Sequence, residues 1–130
     1  MSATPFPCPC CGHLVFAEPP GSSDICMICF WEDDAAQLRH PDLADETNIM
    51  SLAEAQRNYA QYGAVDERLK DDVRKPTAED VLDLGFRPID PARDSFEPEP
   101  SGQGSPPGPS DPTALYYWRP TFWRADLRPS

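Results

Sequence analysis

Five cysteines fall in one short stretch, as Cys8-Pro-Cys10-Cys11-Gly12 and then Cys26-Met-Ile-Cys29-Phe-Trp31. Read as two C-x2-C pairs, they constrain this chain more than any other feature. Two intervening residues let a chain curl round a cation so that both thiolates reach it at about 2.3 Å. Gly12 suits the turn after the first pair, where a side chain would crowd the ion. Two such turns brought together give a tetrahedral site of four sulfurs, and the separation of the pairs lies near that of zinc sites. Cys8, Cys11, Cys26 and Cys29 are therefore expected to hold one zinc ion. A tetrahedral sulfur site also suits iron. Four sulfurs close the coordination sphere, whereas a catalytic zinc keeps one position open. The ion is thus expected to fold the chain rather than to react.

Cys10 is the odd thiol. It adjoins Cys11, and neighbouring residues in an extended turn point apart, so both can hardly serve one ion. A register with Cys10 in place of Cys8 or Cys11 remains open. A free thiol near a cationic site has a lowered pKa and becomes reactive; packed into the turn, the same residue is inert. His13 lies two residues after Cys11, within reach of a thiolate.

The rest of the composition says why a metal would matter. Of 130 residues, 39% are apolar and 17 are proline. Six prolines and three glycines lie between Ser95 and Pro112, leaving a short chain for the core. Chains this small usually need a staple. A large enzyme scaffold is excluded by length. The start lacks the basic and apolar regions of a secretory signal, no stretch is apolar enough to span a membrane, and the cysteine count is odd. The expectation is a cytoplasmic protein with reduced thiols and no disulfide framework.

Local patterns point to a small α+β fold. His13–Ala17 is rich in strand formers, Pro19-Pro20-Gly21 supplies a turn, and Ser23–Ile25 leads back to the second pair. This predicts a zinc-ribbon-like β-hairpin joining two zinc knuckles. Ser51-Leu-Ala-Glu54 is a capping box, Leu52, Ala55, Tyr59 and Tyr62 form one apolar stripe, and Gly63 is a natural stop. A second helix is expected from Asp66 and a short third from Thr77, with Val81, Leu82 and Leu84 in the core. The organisation expected is a ribbon module over 5–34, an acidic loop and helical part over 35–96, a disordered linker over 97–112 and an aromatic tail over 113–130.

With those residues in view, the chain resembles the cysteine-rich CPCC family of small bacterial proteins. The resemblance rests on Cys8-Pro-Cys-Cys-Gly12, Ile25-Cys-Met-Ile-Cys-Phe-Trp-Glu-Asp-Asp34, Asn48–Asn58, Gly63-Ala64, Asp66-Glu67-Arg68 and Val73-Arg-Lys-Pro76, and covers roughly residues 6–76. It implies zinc binding and no particular activity. Met27 departs from the family, whose members often carry proline after that cysteine.

Net charge is −11, from 22 acids and 11 bases. Such a surface repels nucleic acid and favours basic partners. Glu32, Asp33 and Asp34 follow Trp31 and offer a docking surface, or a solvated loop whose aspartates cap turns; Trp31 itself reads first as a core plug against the hairpin and second as a recognition residue. The loop spacing matches no calcium motif. Tyr116, Tyr117, Trp118, Phe122 and Trp123 lie among Arg119, Arg124 and Arg128. They read as a segment folded back on the body or as a partner anchor through Trp118 and Trp123. No catalytic constellation is recognised. The function expected is a non-enzymatic protein-binding or adaptor module, in one form an inhibitor or immunity-type protein acting on a basic partner. The alternative is a thiol-based redox protein or sensor using Cys10.

Overall fold

The computed structural model describes residues 5–44, 47–92, 94 and 108–124. Most of the expected linker, and Arg128 of the tail, lie outside these residues. A two-stranded antiparallel hairpin, β1 (Phe6–Pro7) and β2 (Leu14–Phe16), precedes two helices, α1 (Ala35–Arg39) and α2 (Leu52–Tyr62). Single 3-10 turns follow at Glu67–Leu69 and Pro112–Leu115.

The hairpin does not join the two cysteine pairs, as expected, but closes over the first of them. Phe6 pairs with Phe16 and Pro7 with Leu14, so Cys8–His13 forms the connection. Ile25 bridges Glu32 across the second pair in the same way. The reason is local: each cysteine turn itself reverses the chain, so the flanking residues meet one another first.

α2 forms as its capping residues predict. The Ser51 hydroxyl accepts the Glu54 N–H at 3.2 Å, and Gly63 ends the helix at φ 79°. Leu52 and Ala55 are fully buried. The residues expected as an acidic loop contain α1, whose first amides are capped by Asp34.

The helices expected after Asp66 and Thr77 do not form. Asp66 caps only the turn Glu67–Leu69, and Lys70-Asp71-Asp72 then offers no apolar side chain to bury. From Val81 the chain runs extended beside β2. The Leu14 N–H donates to Val81 O at 2.8 Å, and the Asp83 N–H donates to Gly12 O at 2.8 Å. An open strand edge satisfies these backbone groups better than a short isolated helix does. Val81, Leu82 and Leu84 consequently face solvent, at 58%, 49% and 93% exposure, rather than the core.

The core gathers the five cysteines with Phe16, Ile28, Trp31, Leu38, Leu52 and Val65, and the C-terminal segment adds Leu115, Tyr116, Tyr117, Trp118 and Phe122. Large side chains such as these each contribute roughly 1.5–3 kcal/mol when fully buried. Polar groups fix the segment's register. Gln56, buried on α2, donates to both Pro9 O and the Tyr117 hydroxyl at 2.9 Å, and accepts the Ile89 N–H at 2.8 Å. Asp83 accepts from the Trp118 indole at 2.7 Å and from Arg119 at 2.9 Å. Among the described residues no helix is long and apolar enough to cross a membrane.

Asp83 is a direct test of how this segment is held. Its side chain is 12% exposed. Burial works to raise its pKa, but the bonds from Arg119 and Trp118 outweigh that and hold it low. A depressed native pKa contributes stability above the ordinary aspartate value of about 3.9 and loses it as pH falls through the native value. Asp83→Asn is expected to lower unfolding free energy in urea by about 1–3 kcal/mol at neutral pH. Its deficit relative to the unmodified chain should shrink below about pH 4. An unchanged midpoint at neutral pH would mean that the segment is not held there.

Candidate metal centre

The two cysteine turns have the same backbone. In the first, the Cys8 N–H donates to His13 O at 2.9 Å and the Gly12 N–H to Cys8 O at 2.6 Å. In the second, the Cys26 N–H donates to Trp31 O at 2.9 Å and the Phe30 N–H to Cys26 O at 2.8 Å. Residues four after the first cysteine take positive φ in both, 81° at Gly12 and 76° at Phe30. Gly12 is required on two counts. An L side chain is disfavoured at that φ, and an added Cβ would collide with the ring of Phe86.

Packed together, the turns bring the sulfurs of Cys8, Cys11, Cys26 and Cys29 within 4.8 Å of one another. Cys8 Sγ lies 3.5 Å from Cys29 Sγ, and Cys11 Sγ lies 3.7 Å from Cys26 Sγ. A tetrahedron with metal–sulfur bonds of about 2.3 Å has sulfurs about 3.8 Å apart. The donor set therefore fits an ion at its centre, and these four cysteines could hold a metal. All four are at most 4% exposed. The Ile28 N–H donates to Cys26 Sγ at 3.4 Å, a bond that suits a thiolate acceptor.

Electrostatics favours a cation here. Burial pushes the Cys8 and Cys29 thiols up. Hydrogen bonds from Cys26, Cys29 and Cys8 hold Cys11 well below its ordinary value. Burial thus disfavours thiolates at Cys8 and Cys29, and a bound cation would offset that cost by stabilising the charged form. Cys10 is 3% exposed and stands outside the four, hydrogen-bonded toward Cys29, with its thiol pushed up by burial. His13 is half-buried; a hydrogen bond to Cys11 raises its imidazole pKa.

Of the side chains read as candidate partner contacts, all but Glu32 are engaged within the molecule. Trp31 is 0% exposed. Asp33, 3% exposed, accepts from the Ser22 hydroxyl at 2.7 Å, and burial raises its pKa. Asp34 is the cap of α1. Trp118 is buried, and Trp123 is half-buried with the Arg39 guanidinium 5.3 Å from its ring centroid. Glu32 is half-buried, and its backbone is held at both ends by the Asn48 amide, at 2.8 and 2.9 Å. Asp83 and Phe86 carry no signal of their own in the sequence, and Asn48 and Gln56 enter it only within the family stretch Asn48–Asn58. Gln56 could have been noticed as an amide following Ala55 on the apolar side of α2.

Loss of one sulfur separates the four from the fifth. Replacing Cys8, Cys11, Cys26 or Cys29 by serine is expected to weaken cobalt(II) binding, read by the thiolate-to-metal absorption band, by about a hundredfold or more. Cys10→Ser removes only a neighbour of Cys29 and is expected to change binding by about tenfold at most. An equal loss at Cys10 would place it among the ligands.

The chain matches the family described as Cysteine-rich CPCC over residues 6–80, and no curated protein matches it. The match spans both cysteine turns, the two helices and the ion pair of Arg74 with Asp80. It stops before Asp83, Phe86 and the aromatic segment that cover the first turn. With four converging sulfurs and a match over more than half its length, the chain belongs to the cysteine-rich CPCC family.

Proposed function

We propose that this chain is a non-enzymatic protein-binding module whose fold is held by one structural zinc ion at Cys8, Cys11, Cys26 and Cys29. The observation that carries this reading is the closed, buried set of four sulfurs at ion-sized spacing. Four thiolates leave no position for water or substrate, which is the arrangement of structural rather than catalytic zinc. In this reading each cysteine turn is a zinc knuckle, and the pair of turns acts as a zinc-ribbon-like unit to which α2 and the aromatic segment are fastened. A zinc ion in such a site contributes on the order of 10–16 kcal/mol of apparent binding energy. That is large beside what a core of this size supplies.

Net charge supports a basic protein as partner. Four thiolates round a divalent ion would add a formal charge of about −2. A reducing compartment such as the cytoplasm would keep the thiols available to the ion. The redox alternative draws less support. An attacking thiol needs exposure and a lowered pKa, whereas Cys10 is buried and its pKa is raised by that burial.

Protein purified under reducing conditions without added metal is expected to contain one zinc per chain by elemental analysis. Chelator is expected to abolish the near-ultraviolet dichroism of the buried tryptophans. Because the ligands bind as thiolates, zinc retention should fall as pH is lowered. Iron in place of zinc would change the ion and keep the architecture. A chain that holds neither and keeps its dichroism in chelator overturns the reading. A basic partner should co-purify with the intact protein in a complex weakened by salt.

A further inference from the structure

Behind the second cysteine turn lies an open groove of about 390 Å³. Val65, 2% exposed, forms its floor, and Ile25, Phe30, Ile49 and Leu69 form its sides. Ile25 and Ile49 are 48% and 71% exposed. Two of the three non-glycine residues with positive φ among the described residues line this one groove, Phe30 at 76° and Ile49 at 73°. A β-branched residue in that region is a genuine conformational outlier. Phe30 occupies the place that glycine fills in the matching first turn.

The conformation of Ile49 is held from both sides. On one side of Ile49, the Asn48 amide bonds the Glu32 backbone and the Gln37 side chain. On the other, Met50 O accepts from Gln37 at 2.7 Å. Ile49 is left with its backbone strained and its apolar side chain in water, although glycine or asparagine would relieve both. Strain that glycine would remove, kept at two large apolar residues on one groove, is the pattern of a binding surface.

The charges indicate the occupant. Arg68 on the groove wall is bound by Asp66 at 2.8 Å. Glu32 on the wall carries no ion pair among the described residues. Asp24 and Glu67 adjoin Ile25 and Arg68 along a chain of net charge −11. We infer that the groove docks a protein segment that inserts apolar side chains between Ile25, Phe30, Ile49 and Leu69 and sets lysine or arginine beside Glu32. The inference rests on the protein-binding reading above and names the chemistry of that partner.

The test uses the full chain and three fluorescein-labelled peptides, of alternating leucine and lysine, leucine and glutamate, and lysine and serine, read by anisotropy. The leucine–lysine peptide is expected to bind. The lysine–serine peptide should bind at least about tenfold more weakly, and the leucine–glutamate peptide not at all. Ile49→Gly is expected to lower affinity for the leucine–lysine peptide about tenfold or more without lowering the melting temperature. Leu69→Ser should also lower affinity, with some loss of stability because Leu69 packs against the core, and Glu32→Gln should flatten the salt dependence. No binding by the unmodified chain, or equal binding by Ile49→Gly and Leu69→Ser, overturns the groove. A basic partner recovered equally by the unmodified chain and by Ile49→Gly would also overturn it, while leaving the protein-binding reading standing.

Discussion

Four buried sulfurs at ion-sized spacing are the constraint on which the rest of this molecule depends. Their convergence requires two turns of one shape, each closed by the same pair of backbone hydrogen bonds. Once those turns are packed face to face, Ile28 and Trp31 are carried into the interior with them, both at 0% exposure. α2 then lies against the cluster, and Gln56 ties it to Pro9 inside the first turn. Thiolates at that centre without a cation would be buried charges with nothing to offset their desolvation. A cation at that centre would join the two turns and offset that cost.

The two turns share a backbone but differ in what covers them. At the first, Gly12 leaves room that the Phe86 ring fills, and Tyr117 and Trp118 pack on behind. Those covering residues lie beyond the family match, which ends at residue 80. At the second, Phe30 stands where Gly12 stands and supplies a ring of its own. Its surroundings stay open as the groove. The C-terminal segment has thus completed one half of a nearly symmetric unit and left the other half facing solvent. Trp118, Arg119 and Trp123 of that segment are engaged within the molecule. Asp83 holds Trp118 and Arg119, and Arg39 stacks on Trp123.

What was legible in the sequence was local. The C-x2-C spacing announced the sulfur cluster, and the family motif could be recognised from the same residues. Ser51, Glu54 and Gly63 announced both ends of α2, because caps act through bonds three or four residues away. What was not legible depended on contacts distant in the chain. Val81–Asp83 reads as a helix by its apolar spacing and becomes extended because β2 presents an open edge. Ser23–Ile25 reads as the partner of β2 and pairs instead across its own turn. Asn48 and Gln56 look like ordinary surface amides, and only the folded chain shows them satisfying buried backbone groups.

The residues that sequence patterning marks for interaction are conspicuous because they are large or charged, and in a chain this short those are also the residues the interior most needs. Trp31, Asp33, Asp34 and Trp118 were absorbed by packing, a buried hydrogen bond, a helix cap and the core, respectively. Several apolar side chains stay outside even so, Met27, Val81, Leu82 and Leu84 among them. Ile25 and Ile49 remain exposed beside one another all the same, and Ile49 does so in a backbone conformation that isoleucine resists. What sets Ile49 apart from the other exposed apolar residues is this backbone conformation, which glycine would adopt without strain. The surface that Ile25 and Ile49 share is then where a partner's contribution has to be sought.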